Sequence, residues 1–162
     1  MRENKKLEFE SFYIQYRENI FKVCALMLKD YQHAEDAMQE TFYKALCRFD
    51  RFKRESSALT WLTRIAINVC KDRLKKKSSL ETPGEDVDIL IYEEEIDSKL
   101  SVTDAVRALP LELREVVILY YYQEFTHKEI ADIVGISVPN VAYRLRTAKS
   151  KLKTYLAEDN DE

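Results

Sequence analysis

A chain of 162 residues, 46% hydrophobic and 34% charged, has enough apolar side chain for one ordinary domain or two small ones and is too apolar for a disordered polymer. With only 2 Gly and 3 Pro it lacks the turn residues that a many-stranded sheet needs, so long helices are expected. A formal net charge of -3 excludes a uniformly basic nucleic-acid binder, but not one whose cations are gathered on particular surfaces.

The cations are gathered. Between Lys44 and Lys77 stand Arg48, Arg51, Lys53, Arg54, Arg64, Lys71, Arg73, Lys75 and Lys76, against the acids Asp50, Glu55 and Asp72. Glu81 to Asp97 holds acids and no base, Asn140 to Tyr155 holds bases and no acid, and the end, Glu158, Asp159, Asp161 and Glu162, is acidic again. Two basic blocks around an acidic one suggest two nucleic-acid-facing surfaces and a solvated connector. Cys24, Cys47 and Cys70 are spaced too widely for a metal knuckle. Each sits in an apolar helical pattern, so buried thiols in a reducing cytoplasm are expected. Charged residues follow Met1 and no apolar run approaches about 18 residues, so neither a signal peptide nor membrane insertion is expected.

In chain order, Leu7 to Leu28 reads as an amphipathic helix, with Phe9, Phe12, Tyr16, Ile20, Val23 and Met27 stepping at threes and fours. A second helix carries the stripe Ala34, Ala37, Met38, Thr41, Phe42, Ala45, Leu46 and Phe49. Asp36, Gln39 and Glu40 fall largely off it and, at i, i+3 and i+4, project together. Asp50 to Ser57 breaks the pattern, and Ser56 or Ser57 caps a third helix. The core face of that helix is Leu59, Leu62, Ile65, Ala66, Val69, Cys70 and Leu74. Opposite runs a second stripe, Trp61, Arg64, Asn68, Lys71 and Lys75. An aromatic ring, an amide and cations on one face suit unpaired bases, which stack on rings and present edges to amides while ammonium groups follow the backbone. Trp61 taken alone reads better as core.

Ser78 to Ser101, with Pro83, Gly84 and dense acid, is the expected linker; its apolar patch Ile89 to Tyr92 is too short for a core element. Helices over Val102 to Leu109, Leu111 to Tyr122, Lys128 to Val134 and Val138 to Leu156 complete a second domain. Within it, Thr126 to Leu152 has helix-turn-helix spacing. Ala131 is small where two helices cross, and Gly135 stands at the turn, where positive φ is cheap for Gly. Ser137 is a natural N-cap, Pro139 falls in the first turn, and Val141 packs back. The last helix then buries Val141, Leu145, Ala148 and Leu152 and leaves Asn140, Tyr143, Arg144, Thr147 and Lys151 outside. Such a helix lies in the major groove, early residues toward base edges and later cations toward phosphate.

The stretch LPLELREVVILYYYQEFTHKEIADIVGISVPNVAYRLRTAKSKL, Leu109 to Leu152, resembles region four of extracytoplasmic-function sigma factors. The shared pattern is Leu-Pro, Arg-Glu-Val, Leu-Tyr-Tyr, Glu-Ile-Ala, Gly-Ile-Ser and Val-x-x-Arg-Leu. The resemblance implies reading of a minus-35 promoter element by Asn140, Ala142, Tyr143, Arg144, Arg146 and Lys149. Pro139-Asn140 in place of the common Gly-Thr, Ala142 in place of Lys or Arg, and Thr147 in place of Arg depart from the family's pattern.

HAEDAMQETFYKAL is similar to region two of the same family, whose Asp-x-x-Gln-Glu pattern docks on the polymerase clamp helices; Asp36, Gln39 and Glu40 stand at its positions. TWLTRIAINVCKDRLKKK is similar to the stretch that melts and reads the minus-10 element. This implies roles there for Trp61, Arg64, Asn68, Lys71, Asp72 and Lys75, and the Phe49 to Ser57 loop matches one that pockets a flipped base.

The resemblance thus implies an all-α protein of two small helical domains, 1–77 and 102–157, joined by a flexible acidic linker, 78–101, the second domain with a helix-turn-helix. Its implied partners are core RNA polymerase (clamp helices and flap), promoter DNA and an anti-sigma factor, often membrane-bound in that family. No cofactor or metal is implied. Two other readings stay open on the residues alone. An autonomous helix-turn-helix regulator is disfavoured by a basic third helix that a sensor domain does not need. A nucleic-acid enzyme is disfavoured because no P-loop, metal cluster or nucleophile signature is present, and His33 and His127 are isolated.

Overall fold

The computed structural model describes residues 2–52, 54–80 and 101–160. Among them the regular structure is helical, with no strand. The elements are α1 (Arg2–Leu28), α2 (Tyr31–Cys47), a 3₁₀ turn (Phe49–Arg51), α3 (Ala58–Leu80), α4 (Val102–Ala108), α5 (Leu111–Val117, continued by a π turn over Ile118–Tyr122), α6 (His127–Val134) and α7 (Val138–Asn160).

Residues α1 to α3 form the first unit, packed pairwise on one another. Helix α1 extends N-terminally beyond its apolar pattern, because Arg-Glu-Asn-Lys-Lys carries good helix formers although no core stripe. It ends at Lys29, whose φ of 64° reverses the chain. Asp30 then caps α2, its carboxylate accepting from the His33 N–H at 3.1 Å. Ser57 caps α3, its hydroxyl accepting from the Thr60 N–H at 3.1 Å. Ile20, Val23, Met27, Ala34, Ala37, Leu62, Ala66 and Ile67 are fully buried between the three helices. Two buried threonines are satisfied inside their own helices, Thr41 donating to the Ala37 carbonyl and Thr63 to that of Leu59. Cys24 and Cys70 are buried thiols as expected, whereas Cys47 is exposed at the end of α2, where the helical stripe has already given way to the turn.

Helices α4 to α7 form the second unit. Ser101 and Asp104 make a capping box at α4, and Thr126 and Glu129 another at α6. Helix α6 stops at Gly135, with φ 80° and ψ 38°, and the N–H groups of Gly135 and Ile136 both reach the Ala131 carbonyl, at 2.8 and 3.2 Å. Ser137 then starts α7, accepting from the Asn140 N–H at 3.3 Å. Val141 and Ala148 are fully buried and Leu145 is 7% exposed, so α7 packs on α5 and α6 by one stripe.

A Cβ added at Gly135 meets nothing within 4 Å, so its substitution costs only the left-handed backbone. Gly135→Ala should therefore destabilise the second unit by about 1–2 kcal/mol, and Gly135→Asn by less, because Asn visits that region more readily. Chemical denaturation of the three proteins checks the order Gly, Asn, Ala.

Candidate nucleic-acid interface

The stretch from α2 to α3 is set by aromatic packing. Phe9 and Phe12 of α1 meet Phe49 edge-on, at ring distances of 5.8 and 5.5 Å, and fix the 3₁₀ turn against the first unit. Phe52 then stacks on Trp61 at 4.6 Å and 26°. Trp61 is half-buried, one face of its ring taken by Phe52. Arg54 pairs with Glu8, which ties the loop before α3 back to α1.

Along α3 the second stripe is brought to one face, but its members differ in freedom. Asn68, Asp72 and Lys75 are exposed, and Arg64 is half-buried. Lys71 is half-buried, and its ammonium lies 2.8 Å from a Glu115 carboxylate oxygen of α5. On α2, Gln39 is exposed, and Asp36 is half-buried and accepts from Gln32 at 3.2 Å. Glu40 projects beside them, yet it accepts from Arg73 of α3 at 2.9 Å and faces Lys44 at 3.7 Å. Its carboxylate thus serves the packing of α2 on α3.

On α7, Asn140, Tyr143, Arg146 and Lys149 are exposed, and Tyr143 is 61% accessible. Ala142 is half-buried, as is Arg144, whose guanidinium lies 3.6 Å from the other Glu115 oxygen. The early residues of α7 that a groove would meet are therefore presented together, with Arg144 drawn inward. Residues 78–101, the expected linker, overlap α3 as far as Leu80; 81–100, with the Ile89 to Tyr92 patch, lie outside the described residues.

Sequence reasoning did not single out Glu115, which is 1% exposed. Its signal was present: an acid on the stripe shared with Leu111, Ile118 and Leu119. Burial pushes its carboxyl above the ordinary glutamate value, with Lys71 and then Arg144 acting in the opposite direction. Beside it, buried Arg114 donates to the Arg107 carbonyl at 3.0 Å, satisfying a group at the end of α4. Among the described residues no group of three or more His, Cys, Asp or Glu is placed to hold a metal ion, and no helix is long and apolar enough to cross a membrane.

A three-helix unit with a basic amide-bearing helix, followed by a helix-turn-helix unit, is the arrangement of a sigma-70-type subunit. Residues 12–80 match sigma-70 region 2, and residues 99–152 match sigma-70 region 4. The chain is similar to the sigma factor SigW of Bacillus subtilis, 29% identical with 88% of this chain and 86% of that protein covered. It is similar to SigM of the same organism, 29% identical over 96% of this chain and 100% of the relative. Among solved structures, the fold is shared with the sigma factor RpoE of Bartonella quintana in complex with the anti-sigma factor NepR, at TM-score 0.74 and 18% identity over 93% of this chain and 97% of that one. It is shared too with CnrH in complex with the cytosolic domain of CnrY, at TM-score 0.73 and 22% identity over 95% and 90%. The chain belongs to the extracytoplasmic-function family of RNA polymerase sigma factors.

Proposed function

We propose that this chain directs bacterial RNA polymerase to promoters by a divided reading: α7 takes the minus-35 element in the major groove and α3 takes the melted minus-10 strand. The observation that carries it is the joint presence, in family order, of a fully formed helix-turn-helix and an α3 face on which exposed Asn68 is flanked by Arg64, Lys71 and Lys75. Asn140, Ala142, Tyr143, Arg144, Arg146 and Lys149 serve the first element; Trp61, Arg64, Asn68, Lys71, Asp72 and Lys75 serve the second. Asp36 and Gln39, with Glu40 beside them, dock α2 on the polymerase. Trp61 contributes as a wall, since Phe52 is stacked on one face of its ring.

The chain performs no bond chemistry in this role; the polymerase does. It works in the cytoplasm, where the polymerase and promoters are. An anti-sigma factor is its proposed inhibitor, in line with the complex in which the Bartonella relative was solved. Run-off transcription by core polymerase on a promoter library, with and without the chain, tests the reading. Start sites that appear only with the chain are expected, sharing two elements at fixed spacing. No new start site, together with tight sequence-specific DNA binding by the chain alone, overturns it in favour of an autonomous regulator.

A further inference from the structure

Two of the cations that this function needs at DNA are held instead by one carboxylate. The Glu115 side chain is 2% exposed, with Lys71 at 2.8 Å and Arg144 at 3.6 Å. Lys71 comes from the DNA-facing stripe of α3 in the first unit, and Arg144 from the early part of α7 in the second. A carboxylate offers ammonium and guanidinium groups the same kind of acceptor that a phosphate does. The surrounding packing brings the two units together. Helix α3 lies against α6, and α1 lies against α4 and α5. A crevice of about 510 Å³ between the units is lined by Lys71, Lys75 and Arg144 together with Leu74, Val134 and Ile136. Arg107 to the Ala25 carbonyl at 3.4 Å and Asn19 to Gln123 at 3.5 Å also cross between the units, and both are longer.

We propose that Glu115 is an internal competitor for DNA, taking Lys71 and Arg144 in place of phosphates, Arg144 within its own unit and Lys71 only while the two units are packed together. The proposal rests on the reading of α3 and α7 as DNA-facing. The carboxylate is suited to this because of its place. Lying beneath the two helices, it holds Arg144 within its own unit and Lys71 only while α3 is docked. Among its neighbours, Lys71 does most to favour the charged form of Glu115, so parting α3 from α5 removes its strongest partner. Closure and DNA binding are then alternatives for Lys71, each satisfying it with a different anion.

The test uses the full chain without polymerase, in three single variants. Lys71→Gln removes only the arm between the units, and Glu115→Gln removes both arms. Glu112→Gln removes the same charge one turn away, at an exposed residue that also borders the crevice. Radius of gyration by small-angle X-ray scattering reports the packing; anisotropy of a labelled duplex of arbitrary sequence reports DNA binding. Lys71→Gln and Glu115→Gln are expected to enlarge the particle. Glu115→Gln is also expected to bind duplex about tenfold more tightly at low salt, with a salt dependence steeper by roughly one or two phosphates. Glu112→Gln should leave the packing unchanged and alter affinity by no more than about twofold, the effect of one exposed charge in salt. Equal gains in affinity from Glu112→Gln and Glu115→Gln overturn the proposal, because charge alone then accounts for them. A Lys71→Gln particle as compact as wild type overturns it too, and so does an opened Glu115→Gln chain with no gain in affinity. Circular dichroism checks folding; if Glu115→Gln loses helicity, the compactness of Lys71→Gln decides. Transcription by the wild-type chain reads the parent function separately, so either can fail alone.

Discussion

Asp36→Ala combined with Gln39→Ala is expected to weaken binding to core polymerase by roughly ten- to a hundredfold while leaving the fold intact. Truncating a polar side chain in the middle of a protein interface costs about 1–2 kcal/mol, and about 1.4 kcal/mol is a factor of ten in affinity. Both residues lie outside the core, and the contact from Gln32 to Asp36 is an exposed turn-to-turn pair worth only a few tenths of a kcal/mol. Glu40 is left in place deliberately. Its bonds to Arg73 and Lys44 make it part of the α2–α3 packing, so its removal would mix a lost docking contact with a loosened unit. Titration of core polymerase with labelled chain gives the affinity, and a thermal melt gives the control. Wild-type affinity in the double variant means that α2 is not the docking helix.

What the sequence announces and what it conceals divide along the range of the interactions. The helix-turn-helix was legible because each of its determinants is local. Gly135 supplies a positive φ, Ser137 caps within three residues, and Ala131 and Val141 are a small and a branched residue at fixed offsets. Among the described residues the existence of each α-helix was legible from apolar period, but the ends of α1, α3 and α7 ran past the apolar pattern into charged residues that helices tolerate without core contacts. That Asp36, Gln39 and Glu40 lie on neighbouring turns of α2 was legible, since i, i+3 and i+4 spacing on a helix guarantees it. That Glu40 would be claimed by Arg73 was not legible, because the partner arrives from another helix. The same reason hid the stacking of Phe52 on Trp61; the exposure of Cys47 was hidden because α2 ends there, short of its apolar pattern. Glu115 is the sharpest case. Its place on an apolar stripe was the available signal of a buried acid, while its partners, Lys71 and Arg144, lie far away along the chain in opposite directions, Lys71 brought to it by the packing of the two units and Arg144 by the packing of α7 on α5.

Asn68→Ala is expected to lower the fraction of promoter held open by about tenfold while changing closed-complex affinity by less than about twofold. The two steps call on different physics. Closed binding draws on phosphate attraction, which scales with cations presented, and an amide carries no charge. Holding the strand open requires that unpaired bases be compensated for lost stacking and pairing, which a side chain with both donor and acceptor can do by meeting a base edge; such contacts are worth about 1–3 kcal/mol. Asn68 is exposed between buried Ile67 and Val69, so its truncation leaves no cavity and α3 keeps its packing. Lys75→Ala makes the contrast: with one exposed cation lost, it should weaken the closed complex and shallow its salt dependence by about one phosphate, leaving the ratio of open to closed nearly unchanged. Permanganate reactivity of unpaired thymines, measured at saturating holoenzyme, isolates the opening step from binding. Reactivity equal to wild type in Asn68→Ala removes Asn68 from the minus-10 surface. A loss in Lys75→Ala as large as in Asn68→Ala shows instead that charge along α3, and not the amide, keeps the strands apart.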